Sequence, residues 1–360
     1  MINPNHYCVI MAGGIGSRFW PMSKSDFPKQ FHDVLGTGKT LIQQTFDRFE
    51  KICLAENIFV VTHEDYKQLV KEQIPAITDA QILCEPSRRN TAPCVAYAAY
   101  KIHEINPAAQ MIVAPSDHLI LKEEAFVATV VEGLSKAHDN CLVTLGIKPS
   151  RPDTGYGYIQ FVDEENDGRV RRVKTFTEKP DKELAKQFIE SGDFYWNSGI
   201  FIWNTKTIIA QFEAHLPDMA RLFEEGRGIY NTKREVNFIK STYETCTNVS
   251  IDFGIMEKAT SVFVVLSDFG WSDLGTWGSL YTHLNHDKNN NGVTGKKVRL
   301  YESEGNIVHV PKNKLVVLQG LKDYIVVDAN DVLLVCKKDD EQKIKQFVID
   351  IKHEFGDNVA

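Results

Sequence analysis

The residues best suited to do chemistry in this 360-residue chain stand in the glycine-rich stretch Gly13 Gly14 Ile15 Gly16 Ser17 Arg18, directly after the apolar run Tyr7 to Ala12. Glycines let a backbone turn sharply and bring its N–H groups close to a phosphate. The stretch continues through Phe19 Trp20 Pro21 to Phe27 Pro28 Lys29 Gln30 Phe31. Its two prolines oppose helix formation and hold Arg18 and Lys29 in a structured loop at the carboxyl end of the strand. A guanidinium and an ammonium placed there suit a triphosphate, although either alone reads equally well as a solvated surface charge. Two lures fail on inspection. A dinucleotide-binding G-x-G-x-x-G beginning at Gly14 meets Phe19 at its last position, and Gly36 Thr37 Gly38 Lys39 Thr40 has Asp33 where a Walker A loop needs its first glycine.

Two carboxylates add a second chemistry. Asp117 follows the apolar run Met111 to Ala114, and Asp273 lies in a glycine- and aromatic-rich segment after Val262 to Leu266. Two such groups at strand ends can share one Mg²⁺, which takes few protein ligands and completes its shell with phosphate and water oxygens. Each aspartate by itself can instead cap a turn. Consecutive Ser116, Asp117 and His118 cannot form a proton relay, and no G-x-S-x-G elbow occurs, so a hydrolase is set aside and His118 is read as a turn or packing residue. Glu85 opens a run to Thr91 just before a helical pattern, where Asn90 or Thr91 is placed to cap the helix.

The elements that must position these groups are legible as an alternation. Tyr7 to Ala12, Ile58 to Thr62, Gln81 to Cys84, Gln110 to Ala114 and Cys141 to Ile147 read as buried strands. Thr40 to Leu54, Asp65 to Val70, Pro93 to Ile105 and Lys122 to His138 have helical spacing. This predicts an α/β fold with a Rossmann-like mixed, mostly parallel sheet, and function at the strands' carboxyl ends. From Thr154 the pattern weakens into Tyr158 to Phe161, Val170 to Thr177 and Gly199 to Trp203, with a helix near Asp181 to Ser191, which reads as an insertion walling one side of the sheet. The polar run His286 to Gly292 marks a domain edge, giving expected domains 1–285 and 286–360. Beyond it, Asn306 to Val310, Lys314 to Gln319, Tyr324 to Val327 and Val332 to Lys337 predict a small β-solenoid-like unit. A helix with Ile344, Phe347, Val348 and Ile351 on one face closes the chain, its expected job packing or assembly.

Composition narrows the classes. Hydrophobic residues make up 43% and charged ones 25%, the globular range, and 41 basic against 48 acidic side chains give a net charge of −7. That balance argues against nucleic acid or a polybasic membrane contact, so an anionic ligand must meet a local basic site. Seven cysteines, none closer than ten residues to the next, make neither a zinc pattern nor a disulfide framework and suit a reducing cytoplasm. No apolar run approaches the roughly 18 residues of a membrane span, and Met1 to Tyr7 lacks a signal-peptide design.

Seven segments in order carry a resemblance. Gly13-Gly-x-Gly-x-Arg18-x-x-Pro21 with Pro28-Lys29, Glu85 to Pro93, Pro115 to His118, Thr154 to Ile159, Glu178 Lys179 Pro180, Trp196 to Gly199 and Trp271 to Gly275 resemble the sugar-1-phosphate nucleotidylyltransferases, in their mannose-1-phosphate guanylyltransferase branch. The resemblance implies a nucleotidyltransferase fold and transfer of GMP from GTP to mannose 1-phosphate, releasing pyrophosphate. It implies Arg18 and Lys29 on the triphosphate, Mg²⁺ on Asp117 and Asp273, and Lys179 on the sugar's phosphate. The nucleotide would further meet Gly13, Gly14, Gly16, Glu85, Asn90, Thr91, Ser116 and Asp117. The sugar phosphate would meet Gly157, Tyr158, Glu178, Lys179, Asn197 and Asp252. Read as residues, Gly157 can equally serve a turn and Asn197 a bulge.

The chemistry is consistent with that list. A sugar phosphate, with a second pKa of about 6, is mostly ionised at neutral pH and is already a nucleophile, so the missing general base is no obstacle. Guanine presents N–H donors, which Glu85 or nearby carbonyls can accept. Larger relatives continue into a fused cupin-type isomerase domain, so isomerase activity is not expected of this chain. A homodimer is the expected assembly. Two alternatives stand: another sugar 1-phosphate or base, such as glucose 1-phosphate with UTP or dTTP, and a non-catalytic sugar-nucleotide-binding regulatory subunit.

Overall fold

A computed structural model describes residues 2–162, 168–329 and 331–356; the ends and short gaps of the two expected domains, 1, 163–167, 330 and 357–360, lie outside the described residues. By packing, the chain divides into two compact units. The first comprises Met1–Gly13, Thr45–Ser116 and Ile120–Trp271, and the second Gly14–Gln44, Asp117–Leu119 and Ser272–Ala360. The second unit includes the glycine-rich loop because side chains of that loop share a core with much later residues, as described below.

The first unit is built on nine strands: β1 His6–Met11, β2 Ile58–His63, β3 Ile82–Glu85, β4 Gln110–Pro115, β5 Leu142–Ile147, β6 Gly157–Phe161, β7 Val170–Glu178, β8 Phe194–Asn204 and β9 Val262–Ser267. They lie in the order β3, β2, β1, β4, β8, β5, β9, β7, β6, with β8 also pairing to β6. The first four are parallel, Cys8 facing Ile58 on one side and Ile112 on the other. Parallel strands covered on both faces read as unbroken apolar runs, which is why Cys8, Val9 and Ile10 are wholly buried. The helix Thr91–Ile105 owes its depth to alanines at 92, 96, 98 and 99, which let its backbone approach the sheet closely; all four are buried.

The stretch expected to wall the sheet is instead part of it. β8 lies antiparallel between β4 and β5, and β6 and β7 extend the far edge. The long run Phe194–Asn204 can occupy that central place because Phe201 and Trp203 are buried and stack at 5.6 Å. The sheet is therefore less parallel than the alternation alone suggests. Helices Thr205–His215, Pro217–Glu224 and Glu235–Thr245 follow, unmarked by the sequence reading.

In the second unit, β10 Gly292–Thr294, β12 Ile307–His309 and β14 Tyr324–Ala329 pair in parallel, and β15 Val332–Lys337 closes the sheet antiparallel. β11 Lys297–Tyr301 and β13 Leu315–Gln319 form a separate parallel pair. Gly292 faces Ile307 and Ile307 faces Ile325, so the chain coils with one strand stacked on the last, the solenoid-like arrangement expected. β10 is only three residues long, and β11, which alternates Lys297 and Arg299 with Val298 and Leu300 as a half-buried strand does, lacks the continuous apolar run of the central strands.

An asparagine ladder holds the coils. Asn306, fully buried, donates from Nδ2 to Asn291 Oδ1 at 2.9 Å and to the Leu321 carbonyl at 2.9 Å, and its Oδ1 accepts the Tyr324 N–H at 2.9 Å. Asn306→Ala would leave buried partners unmatched and is expected to destabilise this unit by about 2–4 kcal/mol. Urea unfolding of the variant against wild type measures it.

One apolar core binds the second unit together. Phe19 and Trp20 from the glycine-rich loop join Leu274, Trp277 and Leu280, the strand residues Ile307 and Ile325, and Ile344 and Val348 of the helix Ile344–Phe355. The rings of Phe19 and Trp277 stand 4.9 Å apart. The loop that carries Arg18 and Lys29 is thus seated on the same core as the solenoid strands and the last helix.

Candidate active site

In the second unit, Gly16, Arg18, Lys29, Asp117, Asp273 and Lys345 are among the residues lining a cavity of about 290 Å³. Gly16 adopts φ +66°, and a Cβ there would stand 2.7 Å from Lys29 Cβ; only glycine gives both the turn and the close approach. The short 3₁₀ turn Ser17–Phe19 follows, with Phe19 as its buried anchor. Arg18 stands between these fixed points, and its Nε is buried without a hydrogen-bond partner. A buried, unmatched guanidinium nitrogen is costly in a resting protein and is what an anion site would keep.

Lys29 is placed differently from the loop cation the sequence suggests. It is 3% exposed, and Nζ lies 2.7 Å from Asp117 Oδ2, 3.0 Å from the Asp273 carbonyl and 2.8 Å from the Leu274 carbonyl. Three ammonium protons meet three oxygens. Leu274 itself is buried at φ +44°, a strained conformation for a bulky residue, and the Lys29 bond to its carbonyl and the Ser272 hydroxyl on its N–H hold it there. Lys29 therefore braces the turn that presents Asp273. Burial pushes the Asp117 carboxyl upward, but the Lys29 ammonium beside it and the charge of His118 outweigh that and hold it below the ordinary carboxylate value.

The first unit gathers the other candidates into two clusters. At the end of β3, Glu85 is 6% exposed, accepts the Tyr243 hydroxyl at 2.9 Å on Oε1, and presents Oε2 toward Gly13, where a Cβ would lie 3.4 Å away. Arg88 donates to the Gly13 carbonyl at 3.4 Å and to the Tyr66 hydroxyl at 2.6 Å. Burial raises the Glu85 pKa to about 7, with the Tyr243 hydrogen bond and the Arg88 charge pulling the other way.

The second cluster lies around Asn197. Its Nδ2 donates to Asp252 Oδ1 at 2.8 Å, while its Oδ1 accepts the Thr144 hydroxyl at 3.2 Å and the Gly199 N–H at 3.1 Å. The register between β5 and β8 slips at Thr144 and Gly146, and Gly199 takes φ +70°, so Asn197 does sit at a bulge, which aims its side chain. Asp252 opens a π-helical turn over Asp252–Met256. Burial, reinforced by the Glu178 charge, raises its pKa to about 6. A Cβ on Gly157 would fall 2.4 Å from Glu178 Oε2, so glycine is needed there for Glu178 to lie across the strand. Lys179, at φ +48° and largely exposed, reaches Glu178 at 3.0 Å.

Several expected contacts point elsewhere. Tyr158 is wholly buried and its hydroxyl accepts the Asp153 N–H at 2.9 Å, so the ring is core rather than pocket wall. Ser116 is 2% exposed, its carbonyl accepting the Thr45 hydroxyl at 3.2 Å. The Thr91 hydroxyl oxygen accepts the Ile251 N–H at 2.9 Å, bracing the approach to Asp252, and Asn90 Oδ1 accepts the Thr91 N–H at 3.0 Å as a helix cap. Tyr243 and Lys345 were not foreseen; an aromatic inside a helix and a lysine in a charged run carry no local signal. Larger cavities of about 440 and 400 Å³ lie elsewhere in the first unit; in the former, Lys101 lies 2.7 Å from both Glu235 oxygens and Lys67 3.1 Å from Asp79.

This fold is that of a nucleotidyltransferase: the family model described as Nucleotidyl transferase matches residues 7–290, and that of the MannoseP isomerase/GMP-like beta-helix domain matches 295–350. A putative mannose-1-phosphate guanylyltransferase of Vibrio cholerae serotype O1 is 36% identical over 96% of this chain and 74% of its own length. A mannose-1-phosphate guanylyltransferase of Escherichia coli is 33% identical over 94% and 74%. The solved structure of a protein described as mannose-1-phosphate geranyltransferase from Thermus thermophilus superposes with a TM-score of 0.87 at 30% identity, covering 97% of this chain and 99% of that one. The chain belongs to the mannose-1-phosphate guanylyltransferase family.

Proposed function

We propose that the protein joins GTP and mannose 1-phosphate into GDP-mannose and pyrophosphate. An oxygen of the sugar phosphate attacks the α-phosphorus of GTP in line; a P–O bond forms to it as the bond to the β-phosphate oxygen breaks, and pyrophosphate leaves. The observation that carries this reading is the buried, unpartnered Arg18 Nε in a cavity that also holds two carboxylates. The V. cholerae and E. coli relatives, named for the same reaction, support the choice of substrates.

A divalent ion fits the donor set. Asp117 and Asp273 supply two carboxylates on one cavity, which suits Mg²⁺ with its preference for few protein ligands beside phosphate oxygens, and no group of three or more His, Cys, Asp or Glu side chains able to hold a metal occurs among the described residues. When bound, such an ion would neutralise phosphate charge. Arg18 would bind the triphosphate, and Lys29, by holding Asp117 and the Asp273 turn, would keep both carboxylates in place. Glu85 would accept guanine N–H groups, and Asn197, Asp252 and Glu178 would bind mannose hydroxyls, with Lys179 on the sugar's phosphate. Cytoplasmic location, a homodimer and a division into domains 1–285 and 286–360 complete the proposal. No helix among the described residues is long and apolar enough to cross a membrane.

Pyrophosphate release across four nucleoside triphosphates and mannose, glucose, galactose and fucose 1-phosphates tests it. A dominant GTP and mannose 1-phosphate combination is the expected result; turnover elsewhere moves the specificity, and none at all favours the regulatory alternative. Glu85→Gln replaces one acceptor oxygen by an N–H₂ donor and is expected to reduce the preference for GTP over ATP by about tenfold or more. Because the carboxyl must be ionised to accept two N–H groups, KM for GTP in the wild type rises as pH falls below about 7, and this dependence disappears in Glu85→Gln. An unchanged base preference in the variant would remove Glu85 from base recognition.

A further inference from the structure

We infer that Lys345, on the C-terminal helix, is a phosphate-binding residue for the β and γ phosphates of the triphosphate and for the pyrophosphate they become; this rests on the nucleotidyl-transfer reading above. The reasoning begins with charge. The cavity carries the carboxylates of Asp117 and Asp273, and Lys29, its most deeply buried cation, has its three protons directed at Asp117 Oδ2 and the carbonyls of Asp273 and Leu274. Lys29 therefore stabilises the cavity's own oxygens. Even with a divalent ion held by the two carboxylates, Arg18 leaves a triphosphate in this cavity short of positive charge.

Lys345 lines the same cavity from an exposed position. Its position is not that of a loosely tethered surface lysine. The neighbouring Ile344 is fully buried, and Val348, one turn on, is 8% exposed. Both belong to the apolar core that holds Phe19, next to Arg18, and Leu274, next to Asp273. One packed core thus sets the backbone of all three cavity groups, and the helix Ile344–Phe355 presents Lys345 from a rigid base. A flexible four-carbon stem on such a base suits a compact charge that follows pyrophosphate as it leaves.

Mannose 1-phosphate and GDP-mannose carry neither the β nor the γ phosphate of GTP, which leave together as pyrophosphate. The inference therefore separates the substrates. In Lys345→Ala, KM for GTP in the forward reaction and KM for pyrophosphate in the reverse reaction are expected to rise about tenfold, as for loss of one charge-assisted contact, while KM for mannose 1-phosphate and for GDP-mannose stay within about twofold. Lys345→Arg is expected to restore most of the affinity.

Unchanged KM for pyrophosphate in an active Lys345→Ala enzyme overturns the inference, as does an equal rise for all four substrates. If the wild-type protein turns over no substrate pair, the function reading fails separately. Calorimetric titration with pyrophosphate and Mg²⁺ then decides the point: binding about tenfold weaker in Lys345→Ala supports it, and equal binding overturns it.

Discussion

Arg18→Ala is expected to lower kcat/KM for pyrophosphate release by about 10²–10³-fold, the loss typical of removing one preorganised donor from a developing anion. Its thermal midpoint should not fall, and a small rise is the more instructive outcome, because the substitution deletes a buried Nε that the resting protein leaves without a partner. Side-by-side kinetics and thermal unfolding separate the two effects. A loss of activity accompanied by a fall in midpoint of many degrees would instead make Arg18 a structural residue. The same test with Arg18→Lys addresses geometry: an ammonium keeps the charge but not the planar fork, so partial recovery is expected.

Lys29→Met gives the opposite pattern, losing stability and activity together. The substitution leaves the carbonyls of Asp273 and Leu274 and one oxygen of Asp117 without their common donor. About a third of the Asp117 side chain remains exposed, so the loss is smaller than for a fully buried pair, at about 2–3 kcal/mol. Activity is expected to fall about 10²-fold, since the strained Leu274 turn is released and Asp273 with it. The pH dependence has a definite sign. A folded-state carboxyl pKa held below the unfolded value contributes stability that is complete above about pH 4 and is lost as pH falls through the lowered value. Acid unfolding in Lys29→Met should therefore lose part of that slope, and an unaltered acid profile would show that the pair does not set it.

These two variants mark a difference that residue type alone could not express. In the sequence, Arg18 and Lys29 are two cations in one glycine- and proline-punctuated loop, equivalent candidates for the same phosphates. Folding gives them different partners at one cavity: Lys29, packed close to Gly16 at φ +66°, directs its protons to Asp117 and the carbonyls of Asp273 and Leu274, while Arg18 Nε meets no hydrogen-bond partner. Similarly, the alternation of strands and helices identified β1 to β5 closely, since buried parallel strands are written as continuous apolar runs. It misplaced the stretch after Thr154, because the central antiparallel position of β8 depends on pairing with strands far away in sequence, which local periodicity does not record.

The sequence by itself determined the class of chemistry and the greater part of the fold: a glycine-rich loop with two cations, two carboxylates at strand ends, and a coiled β unit before a last amphipathic helix, with Glu178, Asn197 and Asp252 added only through the family resemblance. Tertiary structure alone decided which of those groups are available. It buried Tyr158 and Ser116, set the Ile251 N–H to donate to the Thr91 hydroxyl, supplied Tyr243 to Glu85, and brought Lys345 to a cavity it shares with Arg18, Asp117 and Asp273. The physical reason is that residue type sets what a group can bind, whereas burial and hydrogen bonding to distant partners set whether it is free to do so.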